Sequence, residues 1–440
     1  MRIVHITAGA GGRICGSCLH DNTLVRALRA RGRDAVLVPA YVPTTTDEEN
    51  IAVDRIVMGG INVWLQEHLP PFRHLPSFLD AALAPLVDSR RLLEWLSART
   101  GSARAADLGP LTVSTLAGER GHQRREVEKL ARWLAEDVHP DVVHLSNALL
   151  VGLARRVREA TGARIVCSLS GEDIFVEQIP EPHRARVRQL LEERAADVDH
   201  FVALNRSFAG FMARYLNVPP ERIAVVRHGL DRTGFPAAPP DLAARRAARR
   251  GRLVIGSLAR ACPEKGLDQL LRALPLVARR HDVELLAAGA EVGSERGYRG
   301  RCLALASELG VADRFRWLGQ VDRPGKLRLF ESIDVFAMPT VHPEAKGIPV
   351  IESMAAGVPI VAPAHGAFPE LLDEERAGLL HAPADHEALA ATLCRLLDDE
   401  QLAARLGRHA HGLAIARHTA DRMAEEHERL YERLLAAPPR

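Results

Sequence analysis

The stretch Glu344-Ala345-Lys346-Gly347-Ile348-Pro349-Val350-Ile351-Glu352, continued by Ser353-Met354-Ala355-Ala356-Gly357-Val358-Pro359-Ile360-Val361, places two carboxylates eight positions apart. The first falls in a loop and the second inside a short helix. Gly347 and Pro349 mark the helix start, because glycine allows close backbone approach and proline fits a first turn, where its missing N–H is no loss. Gly357 ends the helix, Pro359 prevents its resumption, and Ile360-Val361 reads as a buried strand. The spacing predicts that the amides of Gly347, Ile348 and Val350 converge at a positive helix N-terminus, a place for a phosphate. A carboxylate on either side can accept hydrogen bonds from sugar or ribose hydroxyls. The outline is that of a nucleotide-sugar site.

A second cluster of charge lies in Gly256-Ser257-Leu258-Ala259-Arg260-Ala261-Cys262-Pro263-Glu264-Lys265-Gly266. Arg260 and Lys265 stand five apart, in a loop that leaves a strand and precedes a helix over Leu267–Leu276. A guanidinium fork binds two oxygens at once and an ammonium acts as a compact point charge, so the pair suits a diphosphate.

Together these motifs resemble the retaining glycosyltransferases of family 4, which have the GT-B fold. The resemblance covers nearly the whole chain, most strongly over 253–372 and least over 60–125. It implies that Glu344 touches the donor sugar, that Glu352 holds the nucleotide ribose, and that Arg260 and Lys265 steady the departing nucleoside diphosphate. Gly11-Gly12 resembles the family's N-terminal glycine pair, whose amides lie near the transferred sugar and phosphates. The implied activity is transfer of a sugar from a nucleotide-sugar donor to a sugar, lipid-linked or other hydroxyl acceptor, with retention of anomeric configuration. No cofactor and no metal are implied. A nucleotide-sugar epimerase or hydrolase of the same fold, or a non-catalytic sugar-nucleotide-binding protein, remain alternatives, since fold does not fix reaction.

One departure from the family stands at Ser168-Leu169-Ser170-Gly171-Glu172-Asp173, where Ser170 replaces a histidine that contacts the donor sugar in many relatives. Glu172 and Asp173 are then two new carboxylates, read either as sugar or acceptor contacts or as an acid pair at a helix start. Val226-Arg227-His228-Gly229-Leu230-Asp231 resembles the family's Pro-Asn-Gly-Val-Asp at the domain hinge.

The rest of the chain agrees with this architecture. Its 440 residues suffice for two cores, and 47% apolar with 26% charged residues describes a globular protein. A net charge of +2 argues against a general nucleic-acid role. The run Arg245-Arg246-Ala-Ala-Arg249-Arg250-Gly-Arg252 reads as a solvated helix end or linker, with contact to a phosphate-rich membrane surface or an acidic substrate as the second reading. No uncharged apolar window reaches the ~18 residues a membrane span needs, and six scattered cysteines fit a reducing cytoplasm. Short apolar strands alternate with helical patterns, at Ile3–Thr7, 35–39, 142–145, 164–168 and 200–204 and again at 253–258, 283–287, 315–318, 335–339 and 360–362, which predicts two doubly wound Rossmann-like domains facing across a cleft. The expected boundaries are 1–228, 229–414 and a terminal helix of 415–440 packing back on the first domain. An amphipathic helix is expected over Asn22–Arg31. Asp197-Val198-Asp199 lies at a helix end before a buried strand and reads as structural, and Cys15-Gly16-Ser17-Cys18 reads as small residues in a tight loop or as a redox pair. His68, His74 and His122 read as surface residues.

Overall fold

The computed structural model describes residues 1–9, 15–58, 105–249, 251–291 and 297–438. Gly11, Gly12, His68 and His74 lie outside them, as does 60–104 of the 60–125 stretch. Two units emerge, Met1–Gly229 with Ala420–Arg440, and Leu230–Thr419.

The first unit carries a six-stranded parallel sheet in the order β2-β1-β3-β4-β5-β6. Its strands are β1 (Arg2–Thr7), β2 (Asp34–Pro39), β3 (Val142–Leu145), β4 (Arg164–Ser168), β5 (His200–Ala203) and β6 (Ile223–Val225). β1 to β5 fall where the apolar runs place them. The three-residue edge strand β6 has no periodic pattern to announce it. The first helix spans Gly16–Ala30 rather than Asn22–Arg31, because Gly16 and Ser17 are helical with Cys15 as the N-cap.

The terminal helix Ala420–Ala436 belongs to this unit. Met423, Ala424, Leu430 and Tyr431 share a core with Leu24, Val25, Leu28 and the strand residues Ile3, Leu37 and Val142. Arg31 and Arg33 flank that seam by pairing with Asp421, Glu428 and Glu432. Residues 415–417 instead finish the preceding helix Glu400–Arg417 in the second unit, and 418–419 stay with it. The break falls at His418, whose backbone leaves helical geometry (φ −123°, ψ 39°) and accepts from the Leu230 amide.

Five histidines from distant segments are buried together in the first unit: His5, His20, His144, His228 and His427. His20 and His228 meet nitrogen to nitrogen at 2.8 Å. His144 bonds the Tyr431 hydroxyl at 2.6 Å and the Ser168 hydroxyl at 2.9 Å. His427 donates to the Met423 carbonyl, and His5 lies 3.0 Å from Asp21. Burial, more than any neighbour, holds His20 and His144 well below the ordinary imidazole value and His427 down to about 4. Neighbouring imidazoles push in the same direction, while Asp21 opposes this at His20. The unfolded chain titrates these groups near 6.5, so between 6.5 and about 4 it binds more protons than the folded protein. Stability must then fall as pH drops through that window. His427 alone accounts for about 3 kcal/mol of the loss. We expect the thermal midpoint of the first unit to decline steeply from pH 6.5 to 4.5, read by circular dichroism. A flat midpoint over that range would show that these imidazoles are not held neutral.

The second unit carries a parallel sheet in the order β12-β11-β10-β7-β8-β9. The strands are β7 (Leu253–Leu258), β8 (Val283–Ala288), β9 (Phe315–Trp317), β10 (Val335–Ala337), β11 (Ile360–Pro363) and β12 (Leu379–His381). Strands β8 and β9 lie on one side of β7 and β10 to β12 on the other, so the order reverses between β7 and β10. Ligands of doubly wound sheets bind at the carboxyl ends of strands flanking such a reversal. The basic run is not a solvated helix end. Arg245 donates to the carbonyls of Phe330 and Ile333, and Arg249 pairs at 2.7 Å with the fully buried Asp334. That carboxylate also accepts from the Val254 amide, so the run ties the entry of β7 to the helix before β10. Among the described residues no helix is long and apolar enough to cross a membrane.

Candidate functional site

The loops after β7 and β10 carry the charged residues singled out in the sequence, and close glycine approaches lock those loops together. After β7, Ala259 and Ala261 donate to the carbonyls of Ala288 and Ala290. A Cβ on Gly289 would lie 1.7 Å from the Ala259 carbonyl oxygen, so only glycine permits this approach. The exposed Arg260 side chain is thereby carried on a braced loop at the carboxyl edge of a central strand. A single turn, Pro263–Lys265, follows and ends at Gly266 in the left-handed region (φ +70°). A Cβ there would lie 1.9 Å from the Pro339 carbonyl oxygen, and Val341 donates to Glu264 at 3.0 Å. The loops after β7 and β10 are thus stitched at two points.

That stitching brings Lys265 Nζ onto Glu344 Oε2, seventy-nine residues away in sequence. Glu344 is fixed from behind. Its carbonyl accepts from Ala367 at 2.8 Å, and Gly366 (φ +58°) packs where a Cβ would lie 2.5 Å from the Glu344 amide nitrogen. Burial alone would raise the Glu344 carboxyl. The Lys265 ammonium, by charge and hydrogen bond, together with Lys346, overcomes that and holds it down at about 2. Glu344 is therefore an anion at every pH of interest.

The helix Ile348–Ala355 begins with Gly347 as its N-cap in the left-handed region (φ +66°) and Pro349 in its first turn. The Val350 amide is not available to a ligand, because it donates to the Gly347 carbonyl at 2.9 Å, as Ile351 does at 3.1 Å. The helix closes its hydrogen bonds one residue sooner than the sequence suggested. Gly347 and Ile348 remain as the residues whose amides head the helix. Glu352 is 3% exposed and forms an ion pair with Lys326, itself 7% exposed. Lys326 stands in the first turn of the helix Arg323–Ser332, which Asp322 caps through the Gly325 amide at 2.8 Å. Sequence reading missed Lys326. A lysine in a charged helix start looks solvated, and its partner lies twenty-six positions away.

In the first unit, Glu172 and Asp173 stand at a helix start, with Glu172 the N-cap of Asp173–Glu177, but the Glu172 side chain bonds other amides than the helix's own. Its two oxygens accept from the amides of Ser170 at 2.7 Å and Ala148 at 2.9 Å. It closes the turn after β4 onto the segment after β3, and Gly171 (φ +92°) makes that turn feasible. Burial raises the Glu172 carboxyl and the backbone amides oppose this. Asp173 is 6% exposed at the start of the short helix Asp173–Glu177, and Ser170 is partly exposed. Asp197 and Asp199 pair with Arg155 and Arg158, and Asp199 accepts from the Ile165 amide. Among the described residues no group of His, Cys, Asp or Glu could hold a metal ion.

Residues 97–233 match the family described as Glycosyltransferase Family 4, and residues 241–412 match the family described as Glycosyl transferases group 1. The chain is 30% identical over 358 residues to a GDP-mannose-dependent alpha-(1-6)-phosphatidylinositol monomannoside mannosyltransferase of Mycolicibacterium smegmatis, a match spanning 77% of this chain and 89% of that relative. It is 28% identical over 327 residues to a D-inositol 3-phosphate glycosyltransferase of Salinispora arenicola, spanning 69% of this chain and 71% of the relative. The sucrose-phosphate synthase of Thermosynechococcus elongatus superposes over 100% of both chains with a TM-score of 0.72 at 17% identity.

Proposed function

This chain belongs to the family 4 glycosyltransferases of the GT-B fold, and on that premise we propose that it moves a sugar from a nucleoside-diphosphate donor to an acceptor hydroxyl with retention. The Lys265–Glu344 pair, braced at the sheet's point of reversal, is the observation that carries this reading. In the unliganded protein the two neutralise one another. A diphosphate entering beside Arg260 gives Lys265 a second anion, and the Glu344 carboxylate then turns an oxygen to a sugar hydroxyl. The amides of Gly347 and Ile348 add the positive end of a helix. Glu352 accepts from the ribose while Lys326 keeps its charge matched.

Charge builds on the leaving phosphate as the sugar bond breaks, so fixed cations there lower the barrier. In the retaining course, the acceptor hydroxyl attacks from the face the diphosphate leaves, and a phosphate oxygen takes its proton. The names of the relatives favour GDP-mannose among donors and inositol-containing molecules among acceptors.

The test is release of nucleoside diphosphate over a panel of nucleotide sugars, each offered with inositol phosphates and glycosylated phosphatidylinositols. Turnover of one donor that depends on acceptor supports the reading. Release equally fast without acceptor indicates a hydrolase, and binding of donors with no turnover indicates a non-catalytic protein. The cations present suffice for the diphosphate, so turnover is expected to persist in excess chelator. Complete loss, restored by a divalent metal, would contradict that.

A further inference from the structure

We propose that Cys15 and Cys18 form a reversible dithiol–disulfide pair, with Cys15 the attacking sulfur and Cys18 the resolving one. Neither thiol has a part in sugar transfer as derived above. The other cysteines, Cys167, Cys262, Cys302 and Cys394, are buried, and none of the six forms a disulfide in the structure.

The helix start brings the two sulfurs together. Cys15 is the N-cap of the helix Gly16–Ala30, with extended backbone (φ −124°, ψ 130°), and its carbonyl accepts the first helical bond from Leu19 at 2.9 Å. Cys18 is then the third helical residue. Side chains at the N-cap and the third position point at one another, which is why serine and glutamate exchange hydrogen bonds there in other helices. Here the Cys18 thiol is in hydrogen-bonding contact with Cys15 and with Thr7, and no side-chain bond caps the helix.

The environments of the two sulfurs differ as an attacking and a resolving thiol require. Cys15 is partly exposed and sits at the positive end of a helix, which favours its thiolate. Cys18 is 2% exposed and is kept protonated by its bond to Cys15 and by burial. Asp21 stands one turn further along the same face, 1% exposed. Its Oδ1 lies 3.0 Å from His5 Nε2, and its Oδ2 has no hydrogen-bond partner among the described residues.

The oxidant is a low-molecular-weight disulfide such as oxidised glutathione. The Cys15 thiolate attacks one sulfur of the oxidant, whose S–S bond breaks. A mixed disulfide forms on Cys15 and one small thiolate leaves. The Cys18 sulfur then attacks Cys15 Sγ as its proton passes to the departing small thiolate. The mixed bond breaks, the Cys15–Cys18 bond forms, and a second small thiolate leaves with the proton. Two protein thiols are oxidised and one external disulfide is reduced to two thiols.

The test is alkylation of the folded protein after incubation in glutathione buffers of increasing oxidised fraction, followed by peptide mass mapping. We expect the Cys15–Cys18 peptide to lose two hydrogen atoms, the other cysteines to remain alkylatable after unfolding, and dithiothreitol to reverse the change. C18S should accumulate glutathione on Cys15, whereas C15S should leave Cys18 unmodified; circular dichroism confirms that each variant is folded. Six alkylatable thiols after treatment with oxidised glutathione would overturn the proposal. So would oxidation at any other pair, or a folded C18S variant that retains no glutathione. Should either variant fail to fold, the mapping of the unsubstituted protein decides alone.

Discussion

Replacing Lys265 by alanine is expected to lower kcat about 10²–10³-fold, with a smaller change in donor binding. In the ground state the β-phosphate oxygen shares its charge with the sugar bond. In the transition state that bond is breaking and the oxygen becomes a leaving anion, so a fixed cation gains attraction as reaction proceeds. Lys265 is held for this by the turn Pro263–Lys265 and the close approach of Gly266 to Pro339. Arg260→Ala should act in the same direction from the same loop. Steady-state kinetics with the donor found by screening separates the cases. Unchanged kcat with a raised KM would reduce both residues to donor anchors, and full activity in both would remove the diphosphate site.

Lys326→Ala is expected to destabilise the second unit by about 3–5 kcal/mol, since it leaves the Glu352 carboxylate buried without its counter-charge. The effect should appear as a lower thermal or denaturant midpoint. The double replacement Lys326→Met with Glu352→Leu should recover most of that loss, because a well-packed apolar pair of similar volume substitutes for a buried ion pair at little cost. It should nonetheless fail to bind nucleotide. Glu352→Gln keeps the shape and isolates the binding role, and a charged acceptor of a ribose hydrogen bond contributes about 1.5–3 kcal/mol. Tight nucleotide binding by a folded Glu352→Gln variant would assign Glu352 to the ion pair alone. A single Lys326→Ala variant as stable as the parent would show that the pair is solvated.

What was legible in the sequence is what local spacing encodes. The alternation of apolar strands and helices yielded ten of the twelve strands, and the two omitted, β6 and β12, are three-residue edge strands. Arg260, Lys265, Glu344 and Glu352 stand out in the sequence because each sits in a compact motif around a glycine or proline turn. Their partners were not. Lys326 meets Glu352 only through packing of two helices, and Gly289 and Gly366 matter because distant backbone approaches them. The buried histidines come from five separated segments, so no window reveals them. The Val350 amide was misread because sequence marks where a helix begins but not which carbonyl its first bonds choose. The position of Glu172 at a helix start was legible, but its bond to the Ala148 amide was not, because that partner lies on another strand's loop.

The most direct test of the account is the anomeric configuration of the product, read by proton NMR from the coupling at the transferred sugar's anomeric centre in the first product formed. The account predicts that the new linkage has the configuration of the donor, formed at a rate that falls in step with loss of Lys265. A product of inverted configuration, or retention at full rate without Lys265 and Arg260, would contradict it.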